Sequence, residues 1–390
     1  MRQILTLAVL FSGVLRAETA LVLPFFNHSK SANLDWIGES ISEAVRDALV
    51  SEGVLVLDRL DRLEAYRRLS LQPGAEITHA SILKIGESLD ASNVIYGYYE
   101  LTAEPGKEQL KGTLRITARI LDLKHTRQTP AFGEMGALDD LAEIEARLGW
   151  RALVSLNPRT PVAQQEFLKA RPAVPINAVE SYVRGLLASS AEQRSRFFTQ
   201  AARLDEHYSQ PCFELGKIYW EKKDYKIAAS WLERVSRTDP HYREAQFYLG
   251  LCRYSSGDFA GAEQALQLVA DAVPLNEVFN DLGAAQARRN NTAAAVASFK
   301  KALEGDSADP DYHFNLGYTL WRAGQFQAAL DSFREVVARN PSDSEATLFL
   351  GRALKQEGPH AGDPKTENRE RLKTTYEETA YRQLQAELSK

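Results

Sequence analysis

Residues 311–341 read DYHFNLGYTLWRAGQFQAALDSFREVVARNP, and this unit recurs through the second half of the chain. Its Gly317 belongs to a series of six glycines, namely Gly185, Gly216, Gly250, Gly283, Gly317 and Gly351. The spacings between successive members are 31, 34, 33, 34 and 34 residues. A nearly fixed period of this length is typical of repeat proteins in which each unit is one helical hairpin. The sequence therefore predicts an all-α solenoid.

Other positions keep the same period. Each of the last five glycines follows a leucine. Twelve residues after four of the glycines stand Ala228, Ala262, Ala295 and Ala329, and four residues further on stand Leu232, Leu266, Phe299 and Phe333. Prolines close the units at Pro240, Pro274, Pro310 and Pro341. Small residues let the two helices approach, large apolar residues fill the gap, and proline ends the unit, so each hairpin buries its faces against its neighbours.

This pattern resembles the tetratricopeptide repeat (TPR) family. The resemblance covers residues 177–356, about five to six repeats, of which the first is short. In that family the first helix of each hairpin lines a concave groove that binds peptides. The resemblance implies a peptide-binding groove formed by Phe213, Lys217, Trp220, Phe247, Tyr254, Asn280, Phe314, Tyr318, Trp321 and Arg322.

The predicted groove is rich in aromatic residues. Rigid rings supply contact area at a small cost in conformational entropy, which favours an extended peptide as the ligand. The alternative is that several of these rings pack between repeats. The Lys and Asn pattern with which chaperone-binding TPR domains hold a terminal carboxylate is present only as Lys217 and Asn280, so a carboxy-terminal ligand is not favoured.

The first half of the chain alternates between strand and helix patterns. Residues 20–26 form an apolar run of strand length, and apolar residues between Ile37 and Leu49 recur at helical spacing. Residues 93–101 and 113–121 predict two strands, the second with alternating apolar and polar side chains. The order of elements predicts an α/β domain with a mixed sheet, parallel at first and antiparallel later.

Three short stretches of this domain carry a second resemblance. They are Val22-Leu23-Pro24-Phe25, residues 36–41 (WIGESI), and Ile95-Tyr96-Gly97 followed by residues 117–122 (TARILD). Residues 18–158 resemble the TolB amino-terminal domain and the related CsgG and FlgO families. That resemblance implies a role in envelope assembly and protein contacts. TolB itself continues into a β-propeller and this chain does not, so the partners of TolB are not transferred.

The first residues have the pattern of a secretory signal. Arg2 precedes the apolar residues 4–15, a stretch too short to span a bilayer, and we expect cleavage after Ala17. Removal of residues 1–17 would take the net charge from -5 to -7, because Arg2 and Arg16 are lost. The alternatives are a buried strand or an uncleaved anchor. The expected location is the periplasm, either free or in association with the outer membrane.

Two further segments complete the predicted organisation. Residues 159–176 contain Pro161, Pro172 and Pro175 and predict an extended linker. Residues 357–390 predict a loop followed by a polar capping helix, because apolar residues recur every four positions at Leu372, Tyr376, Ala380, Leu384 and Leu388. A membrane-surface helix or a coiled coil is the alternative for this last stretch.

The sequence contains little that would support catalysis or metal binding. Residues 38–42 (GESIS) are the nearest match to a nucleophile elbow and lack its final glycine. The seven histidines are scattered, so we expect neither a metal site nor a cofactor. Cys212 and Cys252 fall six residues out of register on neighbouring repeats, which predicts two free buried thiols and not a disulfide.

These observations predict a non-enzymatic exported adaptor that binds envelope proteins or extended peptides. A net charge of -5 argues against nucleic acid as a partner. One alternative is a structural component that self-associates through its amino-terminal domain in an outer-membrane-associated complex. The other is a cytoplasmic regulatory module whose α/β domain binds a small ligand.

Overall fold

The computed structural model describes residues 19–29, 31–72, 74–103, 111–157, 162–171, 173–360 and 362–388. The predicted signal segment, residues 1–17, lies outside the described residues. None of the helices within these ranges is long and apolar enough to cross a membrane.

Residues 19–156 form an α/β domain around one mixed sheet. Its strands are β1 (Thr19–Val22), β2 (Phe26–Asn27), β3 (Leu55–Val56), β4 (Asn93–Ala103), β5 (Gly112–Asp122), β6 (Arg127–Gln128) and β7 (Phe132–Ala137). The strand order is β3-β1-β4-β5-β6, with β2 also paired to β4 and β7 to β5. β1 runs parallel to β3 and β4, whereas β4 and β5 form a long antiparallel pair. The predicted mixed sheet is confirmed.

Helices cover both faces of this sheet. They are α1 (Trp36–Ser51), α2 (Arg59–Arg68), α3 (His79–Ser88) and α4 (Leu141–Leu156). Along β1, Ala20 and Val22 pack in the core formed with α1 and α4, while Leu21 and Leu23 pack in the core formed with α2 and α3. Burial on both faces explains why this stretch of the sequence is continuously apolar.

The predicted extended linker is wrong where the structure describes it. A short helix, α5 (Gln164–Lys169), lies within it and contacts α4. Phe167 of α5 is 1% exposed and carries the Arg171 guanidinium 3.5 Å above its ring centroid. One hydrophobic core runs from Ile41 of the α/β domain through Phe167 to Phe198 of the first repeat. The prolines suggested a spacer, but burial of Phe167 joins the two regions.

Eleven helices follow within the described residues, arranged as five hairpins and one further helix. They are α6 (Ile176–Leu187), α7 (Ala191–Leu204), α8 (Ser209–Glu221), α9 (Tyr225–Leu232), α10 (Tyr242–Ser255), α11 (Phe259–Ala272), α12 (Asn276–Arg288), α13 (Thr292–Gly305), α14 (Pro310–Arg322), α15 (Phe326–Arg339) and α16 (Ser344–Leu354). A Cβ atom at Gly250 would lie 2.6 Å from Cγ of Leu266, its partner in the hairpin. Glycine is therefore needed for this close approach, as the spacing of the repeat indicates.

The predicted capping helix is only partly present. Helix α17 covers Glu378–Leu388 and contacts β3 of the α/β domain, whereas the described residues between 357 and 377 contain neither helix nor strand. Leu372 and Tyr376, which we assigned to the stripe of that helix, instead pack against the cores of the repeats. The reason is that groove side chains bind the backbone of this segment, as described next.

Candidate functional site: the concave groove

Residues 357–360 and 362–378, which we call the tail segment, lie in the concave groove of the array. The tail segment starts beside α14 and runs back towards α10. Two buried aromatic residues of α14 hold its first part. Trp321 donates from Nε1 to the carbonyl oxygen of Glu357 at 2.7 Å, and the Tyr318 hydroxyl donates to the carbonyl oxygen of Thr366 at 2.7 Å. Both side chains thus bind main-chain carbonyls of the tail segment.

A pair of asparagines grips the middle of the tail segment. Asn280 of α12 and Asn315 of α14, both 0% exposed, donate from Nδ2 to the carbonyl oxygen of Arg371 at 2.8 and 2.7 Å. The backbone N–H of Arg371 donates to Oδ1 of Asn315 at 2.8 Å, and Asn315 also donates to Oδ1 of Asn280. The side-chain amide of Asn315 bonds both the backbone N–H and the backbone C=O of Arg371. These two groups are therefore not free to form the hydrogen bonds of a helix.

Two carboxylates continue this pattern towards α10. Oδ1 of Asp281 accepts from the backbone N–H of Lys373 at 2.9 Å, and Oε1 of Glu277 accepts from that of Glu377 at 2.9 Å. Burial raises the pKa of Asp281 well above its ordinary value, against the opposing effect of the Lys373 hydrogen bond. These hydrogen bonds are made to backbone N–H groups and not to side chains, so they do not depend on the sequence of an extended peptide.

The side chain of Arg371 lies in a pocket of acidic and aromatic residues. The Arg371 guanidinium lies 3.6 Å from the ring centroid of Phe314 and pairs with Asp343 at 2.8 Å. Glu345 and Asp311 complete the pocket at 3.1 and 3.3 Å from the guanidinium nitrogens. Although partial burial opposes it, the Arg371 hydrogen bond holds the pKa of Asp343 below its ordinary value. A planar cation stacked on an aromatic ring and paired with carboxylates is a geometry that favours arginine.

A second cation site adjoins the first. Nζ of Lys373 lies 2.8 Å from carboxylate oxygens of both Asp309 and Asp311. Asp311 is thus shared between Lys373 and Arg371. The groove therefore holds two basic side chains at alternate positions of the tail segment.

Acidic and aromatic side chains of the tail segment lie beside arginine and aromatic side chains of the groove. Glu370, whose side chain is 1% exposed, lies 3.1 Å from Arg322 and 3.7 Å from Arg288. At the far end, Glu378 pairs with Arg243 at 2.7 Å, and the Tyr376 ring lies 5.4 Å from that of Phe247. Burial, and the charge of Glu370, raise the pKa of Tyr254.

The structure brings most of the predicted groove residues to the tail segment. Those beside it are Phe247, Tyr254, Asn280, Phe314, Tyr318, Trp321 and Arg322. The other three have partners within the repeats. Phe213 stacks on His241 at 4.6 Å, Lys217 lies 3.7 Å from Glu244, and the Trp220 ring lies 5.1 Å from that of Tyr225. A peptide-binding role for the ten residues stays a prediction.

The sequence analysis missed several residues that make the strongest contacts. Asp281 and Asn315 both stand two residues before a marker glycine, next to the positions that we selected. Asp311, Asp343 and Glu345 lie at or just before the start of a first helix, which is not a groove position in the pattern used. Two successive repeats carry acidic residues at the start of their first helices. This common feature is the signal that could have revealed the pocket around Arg371.

The α/β domain contains a separate cavity of about 930 Å³ beside the carboxyl end of β1. Arg59 and Arg62 of α2 converge there on Glu39 of α1, with Arg59 Nε 2.6 Å from Oε1 of Glu39. Burial raises the pKa of the neighbouring Tyr66 to about 12. Acidic and basic side chains both line the cavity, so its charge does not indicate a class of ligand.

The prediction for the cysteines is confirmed. Cys212 and Cys252 are free and buried, and burial raises the pKa of their thiols to about 11 and about 12. Among the residues that the structure describes, no three His, Cys, Asp or Glu side chains are placed to hold a metal ion.

We expect both thiols to be nearly inert in the native protein. Since the thiolate is the reactive species, a disulfide reagent at pH 8 should modify the folded chain at least ~100-fold more slowly than the urea-unfolded chain. The measurement is the absorbance of the thiol that the reagent releases. The unfolded chain gives the reference value, which is two released thiols per chain. Modification at equal rates in both states would contradict the burial of these residues.

The repeat region matches a known family. Residues 213–277, 280–343 and 314–369 match the family model of the tetratricopeptide repeat. The helical array from residue 213 onward is therefore built from tetratricopeptide repeats. No curated protein sequence matches the chain. The resemblance of residues 18–158 to the TolB amino-terminal domain stays a prediction.

Solved TPR structures are similar to part of the chain. MamA from Desulfovibrio magneticus RS-1 is 22% identical, with 44% of this chain and 99% of that chain covered and a TM-score of 0.39. YrrB, described as a TPR protein with an unusual peptide-binding site, is 17% identical, with 48% and 91% covered and a TM-score of 0.36.

Proposed function

We propose that this chain is a non-enzymatic scaffold whose TPR groove binds an extended segment of a partner protein. The observation that carries the proposal is the pair Asn280 and Asn315, which bonds both the N–H and the C=O of one residue of an extended chain. Such bonds need no particular side chain on the ligand, and the acidic pocket around Arg371 adds a preference for basic residues. The TPR family model over residues 213–369 supports protein binding as the role of the array.

We further propose that the scaffold is exported and works in the cell envelope. The support is the signal pattern of residues 1–17 together with the resemblance of residues 18–158 to envelope domains. The amino terminus of the protein purified from its native host tests the export step. A chain that begins at Glu18 or close to it, in the periplasmic fraction, is the expected result, and a chain that begins at Met1 in the cytoplasm would contradict it.

Binding through the groove is tested with a matched pair of double variants. Asn280→Ala with Asn315→Ala removes the grip on the ligand backbone, while Asn177→Ala with Asn340→Ala changes two exposed asparagines of the same array. Each buried hydrogen bond to be lost contributes about 1 kcal/mol, so we expect partner capture by the groove variant to fall at least ~10-fold. The measurement is chemical crosslinking in the native host, followed by quantification of the captured proteins.

The control for this experiment is the thermal unfolding midpoint of both variants. Capture by the Asn177/Asn340 variant should equal that of the wild type. Equal capture by all three proteins, with each of them folded, would rule out the groove as the binding site.

A further inference from the structure

The tail segment has the features of a ligand more than those of a structural element. Its described residues between 357 and 377 form neither helix nor strand, and groove side chains bond its backbone at Arg371, Lys373 and Glu377. These bonds would form equally well with the backbone of another chain. The tail segment therefore shows how the groove holds an extended peptide, and it occupies the place that such a peptide would take.

The side chains of the tail segment define what the groove selects. Glu370 faces Arg322 and Arg288, and it is followed by Arg371 and Lys373 in the two acidic pockets. Tyr376 then packs beside Phe247. The pattern is an acidic residue, a basic residue, a second basic residue two positions on, and an aromatic residue three positions after that.

Most contacts between the tail segment and the groove are polar, and this favours its replacement by another peptide. Leu372 and Tyr376 are its apolar contacts with the cores of the repeats, and both are only partly buried. The ion pairs of Arg371 and Lys373 are partly exposed and contribute little net free energy, because water solvates both partners after separation, whereas the Glu370 side chain is buried and its two arginine partners are partly exposed. A peptide of the same chemistry can therefore replace the tail segment without unfolding the helices.

The tail segment is also tethered at short range. Helix α16 ends at Leu354, so 11 residues separate the array from Thr366, whose carbonyl oxygen accepts from Tyr318. A short tether gives an effective local concentration on the order of millimolar. A free peptide must compete against this concentration, so the tether raises the apparent dissociation constant of every ligand.

We propose that residues 366–378 are a tethered competitor, which closes the groove until a partner protein presents an extended segment of the same acidic-basic-x-basic-x-x-aromatic chemistry. This inference rests on the proposed function, because it concerns the same groove. It adds the identity of the competitor and the chemistry of the partner.

The test uses the full-length protein and a fluorescent peptide of residues 366–378 (TENRERLKTTYEE) as the probe. Arg371→Glu places a negative charge among Asp311, Asp343 and Glu345, so it should release the tail segment while leaving the groove unchanged. Lys365→Glu makes the same change of charge at an exposed position of the tail segment. We expect the Arg371→Glu protein to bind the probe at least ~10-fold more tightly than either the wild type or Lys365→Glu, by fluorescence anisotropy.

Addition of Asn280→Ala and Asn315→Ala to the Arg371→Glu protein should abolish this gain. Equal affinity of the wild type and Arg371→Glu for the probe would overturn the proposal, since it would make the tail segment a permanent part of the fold. A dimer of the wild type by light scattering, lost in Arg371→Glu, would also overturn it, because the occupant would then be the tail segment of a second copy.

A second measurement serves if Arg371→Glu fails to fold. A protease site inserted after Gly358 in the otherwise unchanged chain allows the tail segment to be cut from the array after folding. We expect excess probe to displace the cut fragment during gel filtration. Retention of the fragment under a ~1,000-fold excess of probe would overturn the proposal.

The two proposals can fail separately. Loss of partner crosslinks in the Asn280/Asn315 variant, with no gain of probe binding by Arg371→Glu, would retain the groove as a binding site and reject the tethered competitor. Gain of probe binding, with partner crosslinks that do not depend on Asn280 and Asn315, would reject the proposed function.

Discussion

Replacement of Trp321 by alanine is expected to destabilise the TPR array by about 4 kcal/mol. Trp321 is 0% exposed, its ring centroid lies 4.9 Å from that of Phe349, and its indole N–H donates to Glu357. The substitution leaves a cavity in the core of the last repeats and an unpaired carbonyl in the tail segment. The measurement is the free energy of unfolding from urea titrations followed by circular dichroism.

Trp220→Ala provides the control, because Trp220 is only partly buried between Tyr225 and Tyr248. We expect it to lose a clearly smaller free energy of unfolding than Trp321→Ala. A Trp321→Ala protein as stable as Trp220→Ala would show that Trp321 is not part of the core in solution. The expected result also means that partner binding is better tested at Asn280 and Asn315, since loss of binding in Trp321→Ala would reflect misfolding.

The repeat region could be predicted from the sequence because its physical cause is local. A hairpin of two helices fixes the distance between Gly216 and Leu232, and a Cβ atom at Gly216 would lie 2.4 Å from the side chain of Leu232. This contact recurs between Gly283 and Phe299. Since such contacts join residues 16 apart, they leave a periodic trace in the sequence. The groove positions follow from the same period, which is why most of the predicted residues border the tail segment.

The tail segment could not be predicted in this way, because its partners are distant in the chain. Arg371 is held by Asn280, which is 91 residues away, and a spacing of four between Leu372 and Tyr376 fits a helix equally well. Two threonines between them, Thr374 and Thr375, are poor helix formers and were the available local signal. Phe167 presents the same difficulty, because one apolar residue among prolines is typical of a linker. Its burial depends on a core formed by residues that are distant in the chain.

A Glu145→Gln variant is expected to be more stable than the wild type by about 5 kcal/mol at pH 9 and to differ little from it at pH 4.5. Glu145 of α4 is 3% exposed at the contact between α4 and α1. Burial raises its pKa to about 8, although a hydrogen bond with Ser40 acts in the opposite direction. Burial raises the pKa of Tyr208, which precedes α8 of the array, and the charge of Glu145 acts in the same direction.

The sign of the effect follows from proton binding. The ordinary pKa of a glutamate is 4.5, so between pH 4.5 and about 8 the folded chain keeps a proton that the unfolded chain has lost. The free energy of unfolding therefore falls as the pH rises through this window and changes no further above it. Glutamine stays neutral at every pH and removes this dependence.

Glu143→Gln is the matched control, since Glu143 lies on the exposed side of the same helix and pairs with Arg147. Its free energy of unfolding should stay within about 1 kcal/mol of the wild-type value at both pH values. Urea titrations at pH 4.5 and pH 9 give the two differences for each variant. A Glu145→Gln protein less stable than the wild type at pH 9 would mean that Glu145 is charged and paired in the folded state. The contact between α1 and α4 would then be held by an ion pair, and the core that joins the α/β domain to the first repeats would weaken in acid instead of in base.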